Sequence, residues 1–252
     1  VIYGHPFACW YQPGHGAMNL EKAIQHSCNI YFYNLGKLLG IERIAAYARQ
    51  CGLGQLTGID LPGEKRGLVP DPEWKRQNRG APWYPGETIS VSIGQGPLLV
   101  TPLQVAVLTS MIARRGQRII PHLFLKVEKR EGTSQYYSPP CEEEKPGLKD
   151  KKVFERIISG MWKSVNAGGT GQGARLEGYD ICGKTGSTQV ISRDTADKMK
   201  KKIKTHSWFT GFASRHDPRV VVTVIVEFGG MGGQTAAPIA RQLFELYRRK
   251  YD

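Results

Sequence analysis

The 252 residues carry 35 Lys and Arg against 22 Asp and Glu, a formal charge of +13, and 40% of them are hydrophobic. That length and apolar content are ordinary for one folded domain with a real core, and no apolar run approaches the roughly 18–20 residues of a membrane-crossing helix. The basic excess favours an anionic partner without choosing among nucleic acid, lipid headgroups and acidic polymers; much of it sits in 197–204 and 248–250, which read as a solvated loop and a helix end, so nucleic acid is not expected as a partner.

In chain order, Asn19 is an N-cap candidate followed by helix-spaced Ala23, Ile24, Ile30, Phe32, Leu35, Leu38 and Leu39, a stretch expected to break in two near Ser27-Cys28-Asn29. Residues 41–54 predict a clearer helix, stopped by Gly52. Pro and Gly crowd residues 56–86, which reads as a long connection with turns. Thr101 as N-cap, Pro102 at the first helical position, an apolar stripe, basic residues in the last turn and a terminating Gly116 make 101–116 a helix. Residues 119–129 and 133–138 look extended, 138–147 reads as a loop, and Asp150 caps a helix running to about Asn166.

The run Gly168-Gly169-Thr170-Gly171-Gln172-Gly173-Ala174 lacks the Gly-Lys-Ser/Thr ending of a phosphate-binding loop and is read as a loose turn before a strand. Strands over 179–190, 206–213 and 219–228, interrupted by a basic loop and followed by a helix from Ala236 to Tyr251, imply an antiparallel sheet with helices packed on it. Five cysteines at 9, 28, 51, 141 and 182 have no regular spacing, which argues against a disulfide scaffold. Cys51 ends a helix, Cys141 lies in a loop, and Cys182 is expected to be a small buried thiol. The chain opens without an initiating Met or a signal-like start and is read as a fragment.

Two short motifs carry chemistry. Ser27 and Asn29 flank Cys28 in helical sequence; a hydroxyl and an amide two residues apart cannot share one helix face, but both can enter a cleft if the chain bends between two helices. Taken alone, that pair is a polar patch. Lys184-Thr185-Gly186-Ser187 displays an ammonium and two hydroxyls along one strand, a set suited to gripping a carboxylate. His206 is expected beside that strand, as a structural hydrogen-bonding group as much as a catalytic one, and Trp208 as core or cleft wall.

Taken with "DLPGE" (60–64), "SIGQGPLLVTPLQ" (92–104), "HSWFTGFA" (206–213) and "AAPIAR" (236–241), these motifs resemble, in order and spacing, the transpeptidase domain of the class B penicillin-binding proteins, most closely the elongation-type members. The resemblance runs from about Cys9 to the C-terminus. It implies an α+β penicillin-binding-protein and serine β-lactamase-like fold, with residues 1–252 as one partial domain. It also implies a serine acyl-transferase: the Ser of a Ser-x-x-Lys motif attacks the D-Ala-D-Ala bond of a peptidoglycan stem peptide, and β-lactams acylate the same Ser. No serine in this chain has a lysine three positions on; Ser159 and Lys163 are one residue too far apart. In the family the motif lies upstream of Ser-x-Asn, so it would precede Val1, and this chain is expected to be inactive alone.

By the same resemblance Ser27 relays a proton between the missing lysine and the substrate nitrogen, and Asn29 hydrogen-bonds the substrate amide while steadying that lysine. Lys184 adds positive potential, Thr185 and Ser187 hold the substrate carboxylate, Gly186 leaves room for the substrate, and the Ser187 N–H is an oxyanion donor. Cys9, His15 and Cys28 are thiol, imidazole and thiol, good zinc ligands whose spacing matches no compact zinc finger. Some elongation-type relatives carry a zinc beside the active site, which places a structural zinc on His15 and Cys28, with Cys9 where the relative has an Asp and a fourth ligand upstream. Catalysis itself needs no cofactor.

The resemblance further implies stem peptide and β-lactams as ligands, a membrane glycosyltransferase of the elongation machinery as partner, and a site on the outer, periplasmic side of the bacterial inner membrane, held by an anchor outside this chain. A non-catalytic penicillin-fold binding module, or a penicillin sensor or serine β-lactamase relative, are the alternatives. The long 56–100 connection and "SIGQG...TPLQ" favour the transpeptidase over the last of these.

Overall fold

The computed structural model describes residues 2–4, 6–128, 131–136, 150–189 and 205–252. Its order is α1 (Leu20–His26), α2 (Asn29–Gln50), α3 (Pro72–Arg79), α4 (Pro85–Val91), α5 (Pro102–Ala113), β1 (Lys126–Glu128), β2 (Ser134–Tyr136), α6 (Lys151–Asn166), a 3-10 turn (Gln172–Ala174), β3 (Cys182–Gln189), β4 (Thr205–Ala213), β5 (Val220–Val226) and α7 (Ala236–Tyr251). Strands β3, β4 and β5 form one antiparallel sheet in that order, and β1 pairs with β2 apart from it. The fold is therefore α+β, as the successive strands followed by a helix, and the family resemblance, implied. The loop over 138–147, with Cys141, and the basic run 197–204 fall largely or wholly outside the described residues.

Strand alternation splits the sheet into two faces. Phe209 and Ala213 of β4 and Val222 and Val224 of β5 point to α7, where they bury against Ala236, Ala237, Ala240 and Phe244. Cys182 and Phe212 point the other way, onto Ile24 of α1, Ala113 of α5 and Ile158 and Met161 of α6. Cross-strand partners share a face, so Lys184, opposite Thr210, lies on the α1, α5 and α6 side, whereas Thr185, opposite Phe209, lies on the α7 side.

Caps were legible: the Asn19 side chain accepts from the Lys22 N–H at 2.9 Å, Asp150 from Lys152, and Thr101 and Gln104 form a reciprocal capping box. The break at 27–28 is present, and a second one at Gly40 (φ 75°) divides α2 where the sequence suggested a new helix. The connection over 56–86 differs from expectation, because it holds α3 and opens α4. Pro72 and Pro85, read as turn residues, are helix starts whose missing N–H costs nothing at the first position, and Asp71 caps α3 by accepting from Trp74. Among the described residues of the extended stretch 119–129, the three of β1 form a strand. Arg114 and Arg115 lie just beyond α5.

The apolar stripe read on α2 is only in part its buried face: Phe32 packs against the core and Leu35 is half-buried. Tyr33 and Gly36 are buried, while Ile30 and Leu39 are exposed and Leu38 is 79% exposed. Gly36 faces α4 closely: a Cβ there would sit 2.4 Å from the Ser92 Cβ. The Ser159 and Lys163 lookalike has a structural task, since both side chains bond Glu21 and tie α6 to α1.

Candidate active site

The turn between α1 and α2 presents the first motif. Ser27 caps α1 in the left-handed region (φ 52°, ψ 48°), a conformation glycine adopts freely and serine holds only when its surroundings impose it. The Cys28 N–H bonds the Ala23 carbonyl at 3.0 Å, and the Trp10 indole donates to the carbonyls of His26 and Ser27, both at 3.1 Å. Cys28 is then the N-cap of α2 and Asn29 its first residue. The bend that the Ser-x-Asn spacing required is thus made by one left-handed residue.

β3 brings the second motif to this turn. Lys184 Nζ donates to Ser27 Oγ at 2.8 Å and to the Thr185 carbonyl at 2.7 Å, joining residues 157 apart in sequence. Burial of the ammonium pushes the Lys184 pKa down to about 8. A lysine titrating near neutrality against a serine hydroxyl is able to give a proton to it or take one from it.

The two hydroxyls of the strand face away from that ammonium. Thr185 Oγ1 donates to Thr170 Oγ1 at 2.8 Å, and Ser187 Oγ accepts from the Gly232 N–H at 3.1 Å. Alternation therefore separates Lys184 from Thr185 and Ser187, and what the three share is the edge of β3 that faces away from β4. The Gln95 carboxamide reaches this edge, bonding the Ser187 carbonyl and the Gln189 N–H. A strand residue's N–H and C=O point the same way, so the Ser187 N–H also lies on the open edge.

His206 accepts from the Phe228 N–H at 3.1 Å through Nδ1 and packs on the Phe228 ring, a structural arrangement. Trp208 lies opposite Gly186, where a Cβ would approach its Cβ to 3.2 Å. Cys182 is fully buried, and burial drives its thiol pKa to about 12, which leaves it inert at neutral pH.

Cys9, His15 and Cys28 come together: one ligand atom from each lies within 4.8 Å of the others, and Cys9 Sγ is 3.5 Å from His15 Nδ1. Sulfur at about 2.3 Å and nitrogen at about 2.1 Å around a tetrahedral zinc stand roughly 3.5–3.8 Å apart, so the trio needs only a small contraction to serve as three ligands. Burial, and then neighbouring His26, hold the His15 pKa low and favour the neutral imidazole that a metal binds. Burial and the adjacent Cys9 raise that of Cys28, a penalty a metal ion would reverse.

The model of the penicillin binding protein transpeptidase domain matches residues 2–245. The chain belongs to the penicillin-binding protein transpeptidase family. Among curated relatives, it is 38% identical over 250 residues to the peptidoglycan D,D-transpeptidase MrdA of Acinetobacter baumannii, covering 96% of this chain and 36% of that protein. The MrdA of Haemophilus influenzae is also 38% identical, with 38% of it covered. Among solved structures, PBP2 of Helicobacter pylori in complex with MreC superposes with a TM-score of 0.84 at 31% identity, over 100% of this chain and 44% of that one. Pseudomonas aeruginosa PBP2 in complex with WCK 5153 gives 0.82 at 35% identity, over 98% and 52%. The transpeptidase domain is thus of the PBP2 and MrdA type, and it spans little more than a third of the length of those curated relatives.

Sequence reasoning missed three groups that bond the strand motif and its flank: Thr170, Gln95 and Gly232. Thr170 sits in the run read as a loose turn, yet that turn is tightly packed. A Cβ on Gly169 would meet the Gln25 carbonyl at 2.5 Å, and one on Gly173 would meet the Gly233 carbonyl at 2.6 Å. Its glycines permit backbone contact, which was their available signal. Gln95 lay inside a quoted stretch, but nothing local says that it crosses to β3.

Proposed function

We propose that this chain is the substrate-gripping part of a peptidoglycan D,D-transpeptidase that cross-links stem peptides through an acyl-serine intermediate and is acylated by β-lactams. The observation that carries the reading is the Lys184 to Ser27 contact at 2.8 Å, which joins the Ser-x-Asn turn to the Lys-Thr-Gly-Ser strand. The nucleophile belongs to a Ser-x-x-Lys segment outside these 252 residues, and residues 1–252 form one partial domain that does not turn over alone.

In this reading the serine oxygen bonds to the penultimate D-Ala carbonyl carbon, the oxyanion forms against the Ser187 N–H, and the terminal D-Ala leaves as its C–N bond breaks. The attacking serine gives its proton to the lysine of its own Ser-x-x-Lys motif, and Ser27, beside Lys184, relays it from that lysine to the leaving nitrogen. The amine of a second stem peptide then attacks the acyl-serine ester and releases the serine. Asn29, on the first turn of α2, bonds the substrate amide. Lys184 supplies positive potential to the terminal carboxylate, Thr185 and Ser187 supply hydroxyls at the strand edge, and Gly186 keeps that edge low. Removal of an oxyanion donor of this kind costs on the order of 100-fold or more in rate.

Catalysis takes no cofactor. Cys9, His15 and Cys28 would hold a structural zinc with a fourth ligand from outside the chain, tying the 9–15 loop to the turn that carries Ser27. Among the described residues no helix is long and apolar enough to cross a membrane. We place the domain on the outer face of the inner membrane through an anchor elsewhere in the protein, working with a membrane glycosyltransferase of the elongation machinery. The solved PBP2 complex with MreC, and a peptidoglycan synthase complex matched at 32% identity, support such assembly.

The test is intact-mass analysis after incubation with a penicillin. The 252 residues alone are expected to gain no adduct, and the chain extended by its Ser-x-x-Lys segment to gain one penicillin per molecule. An adduct on the 252 residues would overturn the account of the nucleophile, and none on the extended chain would overturn the activity.

A further inference from the structure

We infer that Gln95 is a positioning residue for the acylation step: its carboxamide closes the end of the β3 edge and fixes the orientation of Ser187, so that the Ser187 N–H is already aimed when the oxyanion forms. This rests on the transpeptidase reading above.

Gln95 Nε2 donates to the Ser187 carbonyl at 3.1 Å, and Gln95 Oε1 accepts from the Gln189 N–H at 3.3 Å. A group that donates to residue i and accepts from i+2 makes the pairing of a parallel strand, so one side chain occupies the edge beyond Ser187 as a one-residue strand would. An unpaired edge invites further pairing, and capping it here confines an incoming peptide to the stretch from Lys184 to Ser187.

The clamp is itself held. Gln95 stands between Gly94 and Gly96, both in the left-handed region at φ 76°, and its N–H bonds the Ser90 carbonyl at 3.0 Å, on α4. α4 leads into Ser92, whose Cβ meets the face of α2 at Gly36 with no room for a side chain there. The helix that begins with Asn29 is thereby coupled to the strand that carries Ser187. Ser187 is gripped at its carbonyl by Gln95 and at its hydroxyl by Gly232, and its N–H has no partner among the described residues. A donor fixed before reaction costs no reorganisation in the transition state.

The experiment compares Gln95→Ala and Gln95→Glu with the unsubstituted sequence, in the chain carrying its Ser-x-x-Lys segment, by stopped-flow acylation with a fluorescent penicillin. Gln95→Ala is expected to lower the maximal acylation rate by about tenfold or more, part of what loss of an oxyanion donor costs, with half-saturation moved by less than about threefold. Gln95→Glu keeps the acceptor for Gln189 but sets a carboxylate against the Ser187 carbonyl. Its rate relative to the unsubstituted chain should rise as pH falls from about 7 towards the ordinary Glu value of about 4.3.

Unchanged maximal rates in both variants overturn the inference, as does a loss in Gln95→Ala that tracks a fall in melting temperature with no pH response in Gln95→Glu. If even the unsubstituted chain fails to acylate, the activity reading falls by itself. Hydrogen exchange over 182–189 then decides the clamp: faster exchange at Gln189 in Gln95→Ala supports it, and no change refutes it.

Discussion

Substitution of Gly232 by Ala tests how the 229–233 loop holds the site. An added Cβ would stand 2.4 Å from both the Gly186 and Trp208 carbonyl oxygens, and 3.0 Å from the Gly186 nitrogen, all backbone atoms of paired strands. Reaching an ordinary contact of about 3.4 Å requires the loop to withdraw by about 1 Å, and the same motion would stretch the Gly232 N–H to Ser187 Oγ bond to roughly 4.1 Å, beyond hydrogen-bonding range. The Ala237 N–H to Gly232 carbonyl bond, now 2.9 Å at the start of α7, would be disturbed as well. Overpacking costs about 1–3 kcal/mol and a lost hydrogen bond about 1, so Gly232→Ala should destabilise by about 2–4 kcal/mol. Urea unfolding with Gly186→Ala as control reads this directly, because the Cβ at 186 meets only the Trp208 Cβ at 3.2 Å, a contact relieved by a few tenths of an ångström. A Gly232→Ala loss no larger than that of Gly186→Ala would refute the argument.

Lys184, with a pKa of about 8 against an ordinary 10.5, should lose its charge between pH 7 and 9, so the affinity of the extended chain for a penicillin carboxylate should drop about tenfold across that range. In Lys184→Arg, whose guanidinium stays charged, the profile should be flat; a flat profile in the unsubstituted chain would contradict the assignment. In stability the sign is opposite: between pH 8 and 10.5 the unfolded chain binds more protons, so this group makes stability rise with pH across that window and adds no slope below it. Zinc at about a hundred times its dissociation constant should stabilise the chain by about 2.7 kcal/mol, a rise of roughly 5–11 °C in melting temperature. His15→Ala should abolish that rise; no shift, and no stoichiometric zinc by metal analysis of the longer protein that carries the fourth ligand, would remove the site.

Much of this protein was written locally. Asn19, Thr101 and Asp150 announced their helices because a cap acts within three residues of itself. The run "VVVTVIV" announced β5 because β-branched residues pack well on a pleated, covered surface. The Lys-Thr-Gly-Ser and Ser-x-Asn motifs were legible for the same reason, as short patterns whose chemistry is carried by adjacent residues. Prolines 72 and 85 misled because one residue type marks both a turn and a helix start, and the choice depends on whether the following turn finds something to pack against. The apolar residues of α2 misled because helical spacing says that a face exists, not which neighbour covers it.

Tertiary structure alone decided the pairings across the chain: Lys184 with Ser27, Thr185 with Thr170, Ser187 with Gly232 and Gln95, and the trio of Cys9, His15 and Cys28. It also decided which neighbours meet the two faces of that motif: α1, α5 and α6 on the Lys184 side, α7 on the Thr185 and Ser187 side. The sequence by itself determined which groups were on hand and that they lay on a turn and a strand. Which of them touch depends on the packing of α1, α4 and the glycine-rich loops around β3, where close backbone approaches with no room for a Cβ leave no trace in local pattern beyond the glycines that permit them.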